Sequence, residues 1–143
     1  MLDPAEAVEL VDGAALRLAV GRFLPLLYRS CHRHRSVLSI GRAIRLAKWL
    51  AWLQRRRRTW GAPEIGGLCV AVESAVGISD CYPRALLTAY LCMLAGLPCE
   101  VTVGILAPTR NMHAWCASGG AIPYEPQPEH WFYRPLAVFD VTR

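Results

Sequence analysis

Asp80-Cys81-Tyr82-Pro83-Arg84-Ala85-Leu86 is the stretch whose reading decides the fold. A turn, Gly77-Ile78-Ser79-Asp80, precedes the cysteine. Pro83 suits the first turn of a helix, where a missing N–H is no loss. Ala85 to Ala95 continues that helix and Gly96 ends it as a C-cap. A cysteine therefore heads a helix. Beyond Pro98 the pattern changes. Glu100-Val101-Thr102-Val103-Gly104-Ile105 is rich in β-branched residues and reads as a strand, with Met112 to Ala117 as a second. Ser118-Gly119-Gly120 reads as a hairpin turn into a further strand, Ala121 to Tyr124. Pro126 and Pro128 mark a loop, and Leu136 to Val141 reads as a last strand.

Upstream of Cys81 the patterning is helical. Asp3 and Pro4 open a predicted helix to about Val20, with Val8, Val11, Ala15 and Leu18 on one face. A short helix is expected over Arg22 to Cys31, interrupted near Pro25. Ser36 to Arg57 is the clearest helix, with Ile40, Ile44, Ala47 and Ala51 at helical spacing. Thr59-Trp60-Gly61-Ala62-Pro63 breaks it. Glu64 to Val76 follows as a further helix, in spite of Gly66-Gly67. The order predicts an α+β fold: N-terminal helices, then the Cys-headed helix packed on a small antiparallel sheet. A length of 143 residues suits a single domain over 1–143. Within it, 1–58 is a helical N-terminal region and 59–143 the core that carries the chemistry.

Hydrophobic residues make up 54% and charged residues 19%, which excludes a disordered chain. The net charge of +5 is carried by arginines and Lys48, densest at Arg55-Arg56-Arg57-Arg58. Such a run reads first as the solvated end of a helix, where it complements the dipole. No nucleic-acid motif accompanies it, so nucleic acid is not an expected partner. The Met1 end has no basic segment followed by a long apolar run, so no signal peptide is expected. A cytoplasmic, reducing compartment follows, with the six cysteines as thiols rather than disulfides. No apolar run reaches the roughly 18–20 residues that span a bilayer.

Thiol chemistry needs three things: a thiolate, a histidine to hold its proton, and a group to orient that histidine. Cys81 meets the first need, because the positive end of a helix lowers a thiol pKa and its N–H groups stabilise an oxyanion. Cys69, Cys92 and Cys99 sit in apolar stretches and read as buried, inert thiols. His113, in Asn111-Met112-His113-Ala114-Trp115, shares a strand face with Trp115 and is the candidate base. His32 and His34 lie in an Arg-rich stretch and read as solvated; His130, in a Pro-rich loop, is a weaker alternative base. Glu125, just past the hairpin, and Asp140 are the candidate orienting carboxylates. His113 and Cys116 fall on opposite strand faces and no Cys-x-x-Cys is present, so neither a metal nor a cofactor is expected.

The segments Asp80-Cys81-Tyr82-Pro83-Arg84-Ala85-Leu86, Leu94-Ala95-Gly96-Leu97-Pro98-Cys99-Glu100-Val101-Thr102-Val103-Gly104 and His113-Ala114-Trp115 together resemble the leader peptidases of lasso-peptide biosynthesis, small transglutaminase-like cysteine proteases. The resemblance runs from about Ser79 to Glu125. It implies a papain/transglutaminase-like fold, with Cys81 as nucleophile and His113 as general base and acid. The family's usual acid is an aspartate, and here the matching position is Glu125, longer by one methylene. The implied activity is removal of the leader from a ribosomally made precursor peptide. The implied partners are that leader peptide, a leader-recognition protein and a macrolactam-forming cyclase, with the N-terminal region as a docking surface. Two alternatives share the residues: a transglutaminase-like acyl-transfer enzyme, and a non-catalytic peptide-binding module.

Overall fold

A computed structural model describes residues 21–35, 39–54, 59–107, 109–126 and 130–141. The expected helix over Pro4 to Val20 and the Arg55 to Arg58 run lie outside the described residues. Four helices come first: α1 (Phe23–Arg33), α2 (Ile40–Leu53), α3 (Ala62–Val76) and α4 (Cys81–Ala95). Strands β1 (Cys99–Leu106), β2 (Asn111–Ala117) and β3 (Arg134–Val141) follow, with a 3-10 turn at His130–Phe132 before β3. The fold is α+β: the four helices are followed by a three-stranded antiparallel sheet of order β2-β1-β3, on which α4 packs.

Local chemistry sets the helix ends. Pro25 does not interrupt α1; it sits in the first turn, where its N–H has no intrahelical partner to lose. α2 is shorter than the predicted Ser36 to Arg57. Ser39 caps it, its hydroxyl accepting from the Arg42 N–H at 3.4 Å, and the backbone is extended again at Gln54. α3 starts two residues early, with Pro63 in its first turn. The Glu64 carboxylate reaches back to the Gly61 N–H at 3.0 Å, one half of a capping box. Gly77 and Gly96 close α3 and α4 in the left-handed conformation, which suits a residue without Cβ.

α4 is the central element. α1, α2 and α3 pack on it, and so do β1 and β2. Its residues from Pro83 to Leu94 are all buried, which explains an apolar run without a polar stripe. Each fully buried leucine along it, Leu87 and Leu91 among them, contributes about 1.5–3 kcal/mol relative to exposure.

β1 is the middle strand. Val101 stands between Cys116 of β2 and Phe139 of β3, and Gly104 stands opposite His113. The β1–β3 register shifts between Val103 and Gly104. The Gly119-Gly120 turn forms as expected, both glycines at positive φ. The strand expected over Ala121 to Tyr124 does not form. A single bridge joins Ser118 to Ala121 and the chain then leaves the sheet. Pro123 has no N–H to give a ladder, and the free edge of β1 is taken by β3, which begins at Arg134 rather than Leu136. Among the described residues, no helix is long and apolar enough to cross a membrane.

Candidate functional site

Cys81 is the first residue of α4, and the turn before it is held by buried polar groups. The Arg84 Nε donates to the Glu73 carboxylate at 3.1 Å, both side chains more than nine-tenths buried. The Arg84 guanidinium also donates to the Ser79 hydroxyl at 2.6 Å. The Tyr28 hydroxyl gives its proton to Glu73 and accepts from the Asp80 N–H at 3.0 Å. Burial, with the Glu73 carboxylate next, pushes the Tyr28 hydroxyl above its ordinary value, so it stays a donor. Asp80 caps α4 through the Tyr82 N–H and pairs with His32 Nδ1 at 2.6 Å. His32 is therefore part of the scaffold behind the turn and not merely solvated; His34 is exposed.

Burial alone would raise the Cys81 thiol. Hydrogen bonds from His113 and from the Ala114 N–H, with the charge of His113, more than offset burial and the nearby Asp80, so the thiol lies below its ordinary value. His113 moves the other way. Burial would lower it, but hydrogen bonds and charge interactions with Cys81 and Glu125 raise it. Opposite shifts of adjoining groups favour a thiolate–imidazolium pair.

His113 Nε2 lies 2.7 Å from Glu125 Oε1, which leaves Nδ1 as the nitrogen for the thiol. Its ring is flanked by Trp115 at 5.7 Å and Tyr133 at 5.0 Å between centroids. Gly104 makes room for this packing: a Cβ there would stand 2.8 Å from the Tyr133 Cβ and 3.0 Å from the Trp115 ring. Glu125 is buried and reaches the site because Pro123 lies directly against Gly66 of α3, where any side chain would collide with its carbonyl oxygen. Its second oxygen, Oε2, is 2.7 Å from His130 Nδ1. Asp140 is exposed and pairs across the sheet with Glu100, beside a separate hollow lined by Cys99 and Gly119.

The sequence candidates Cys81, His113 and Glu125 thus come together, and His130 joins them through Glu125 rather than through Cys81. An open cleft of about 390 Å³ lies over them, lined by Ser79, Cys81, Arg84, Met112, His113 and Tyr133. Tyr28 and Glu73 were not singled out from sequence. The available signal was one glutamate and one arginine, Glu73 and Arg84, inside otherwise apolar helices; such charges stay buried only when paired.

The remaining thiols lie in or against the core. Burial pushes Cys69 up to about 12, and Cys31 also upward. Among the described residues, Cys92, Cys99 and Cys116 are the group whose donor atoms lie close enough to share a metal ion, all within 4.8 Å of one another. They are buried, one each on α4, β1 and β2, and strand alternation puts Cys116 on the face of β2 opposite His113.

A family model described as transglutaminase-like superfamily matches residues 26–138, which takes in most of α1, all of α2 to α4, the site and most of β3. No curated protein and no solved structure matches the chain.

Proposed function

The chain belongs to the transglutaminase-like superfamily, whose members are generally cysteine-dependent hydrolases and transferases; from that premise we propose that it is a cysteine protease that removes the leader from a ribosomally synthesised lasso-peptide precursor. The observation that carries the proposal is the array Cys81–His113–Glu125: a thiol at a helix start, bonded to an imidazole whose other nitrogen is 2.7 Å from a buried carboxylate. The superfamily includes lasso-peptide leader proteases, and the Cys81, Leu94 to Gly104 and His113-Ala114-Trp115 segments resemble theirs.

In this mechanism the Cys81 thiolate attacks the scissile carbonyl carbon. The oxyanion is held by the first-turn N–H of Cys81. His113 gives its Nδ1 proton to the departing amine, which frees the core peptide and leaves the leader as a thioester on Cys81. His113 then takes a proton from water, hydroxide adds to the thioester, and the leader leaves as a carboxylic acid with the thiol restored. Glu125 keeps the imidazole in the tautomer that presents Nδ1 to sulfur and stabilises the imidazolium. The freed amino terminus is the group a macrolactam-forming cyclase needs, and a leader-recognition protein would deliver the precursor.

The test is incubation with a leader–core precursor, alone and with its recognition protein, followed by intact mass. Cleavage by wild type, absent in Cys81→Ala and His113→Ala with folding unchanged, supports the proposal. An amine adduct formed in place of the free acid would make the enzyme an acyl transferase. Tight peptide binding with an inert Cys81 would make it a binding module.

A further inference from the structure

We infer that His130 is a positioning residue of this site: by holding Oε2 of Glu125, it keeps Oε1 on His113. The inference rests on the Cys81–His113 reading above and extends it to a fourth side chain.

Glu125 is 5% exposed and both of its oxygens are engaged, Oε1 by His113 Nε2 and Oε2 by His130 Nδ1, each at 2.7 Å. A glutamate has one more side-chain torsion than an aspartate, so more freedom must be lost to aim it. One hydrogen bond leaves the carboxylate able to turn about its last torsion. Two bonds to opposite oxygens fix its plane. Without His130, one oxygen of a buried carboxylate would lack a partner among the described side chains and backbone groups, a costly state that favours rotation toward solvent.

His130 is built to serve as this clamp. Its side chain is 32% exposed, so it is not simply core filling. It heads the 3-10 turn, its ring edge-on to Trp131 at 4.9 Å and 5.9 Å from Trp115. The Tyr133 N–H closes the same turn by donating to the His130 carbonyl at 3.1 Å. Tyr133 in turn packs on His113. One short turn therefore holds the imidazole from its ring side and the carboxylate from its far oxygen. His130 does not touch the thiol and is not the base; it acts through Glu125.

The experiment is the rate of Cys81 alkylation by iodoacetamide at pH 6, read by residue-level mass spectrometry, with the melting temperature of each variant. It needs no substrate. His113→Ala is the control for the underlying reading. His130→Ala should slow alkylation about tenfold, the loss of one hydrogen bond to a charged group, and shift its pH midpoint upward. His130→Asn, whose amide N–H stands near Nδ1, should recover most of the rate. Glu125→Ala and Glu125→Ala with His130→Ala should react at the same rate, since His130 then has no side-chain oxygen left to hold. A wild-type rate in His130→Ala beside a slow His113→Ala overturns the inference alone. So does a folded His130→Asn as slow as His130→Ala, which would assign the effect to ring packing. A wild-type rate in His113→Ala overturns the reading beneath it, and the inference with it.

Discussion

The carbonyl of Pro123 rests against the bare Cα of Gly66, so the segment that carries Glu125 is seated directly on the α3 backbone. Glycine is required there for space and not for its dihedral freedom. A Cβ on residue 66 would overlap the carbonyl oxygen and stand 3.2 Å from its carbon. Neither group is a flexible tip that can swing away.

Gly66→Ala should therefore destabilise the protein by about 1–3 kcal/mol, the usual cost of overpacking. It should also slow Cys81 alkylation, because Glu125 lies two residues beyond Pro123. Denaturant midpoints and alkylation rates measured on the same sample check both effects. Lost stability with unchanged thiol reactivity would mean that Glu125 is placed independently of this contact.

The thiol should titrate low. Burial and Asp80 raise the Cys81 pKa, while His113 and the Ala114 N–H lower it, and the net shift is downward. A depressed pKa means that thiolate persists at pH values below the usual cysteine range. The alkylation rate should rise with pH through a midpoint below the ordinary cysteine value. In His113→Ala the lowering contribution is largely gone, and burial with Asp80 should carry the midpoint above that value. A midpoint that ignores the histidine would break the proposed pair.

Glu73→Ala should cost about 3–5 kcal/mol, because it strands the Arg84 guanidinium in the core without its carboxylate. Replacing both partners, Glu73→Leu with Arg84→Met, should cost less than Glu73→Ala alone. Urea unfolding of wild type and the two variants decides it. A single variant milder than the double would show that the pair is not stabilised as a unit.

Precursor cleavage should separate the two carboxylates. Glu125→Gln should lower kcat by about a hundredfold, the scale of general acid–base assistance. Asp140→Asn, exposed and across from Glu100, should stay within about twofold of wild type on the same scale. The reverse ranking would move the orienting role to Asp140.

Much of the fold was legible because its signals are local. Gly96 after an apolar run, Pro83 three residues into a helix and β-branched residues after Pro98 each report on a few neighbouring dihedrals. The misreadings share a cause as well. Ala121 to Tyr124 looks like a strand by composition, yet whether it pairs depends on which edge β3 occupies. Pro25 looks like a breaker until the start of α1 is known. His32 looks solvated until α1 is laid beside the turn at Asp80, 48 positions further along the sequence.

The sequence by itself determined that a cysteine heads a helix and that a histidine follows on a strand, since both are consequences of local periodicity and capping. Tertiary structure alone decided what surrounds them. Glu125, and not Asp140, meets His113 because Gly66 admits the backbone of Pro123. Glu73, Arg84 and Tyr28 brace the turn before Cys81 because α1, α3 and α4 share one core. His130 grips Glu125 because the turn before β3 returns to the site. Hydrogen bonds and ion pairs act over about 3 Å, and which groups come that close across long loops is settled by packing, not by the order of residues along the chain.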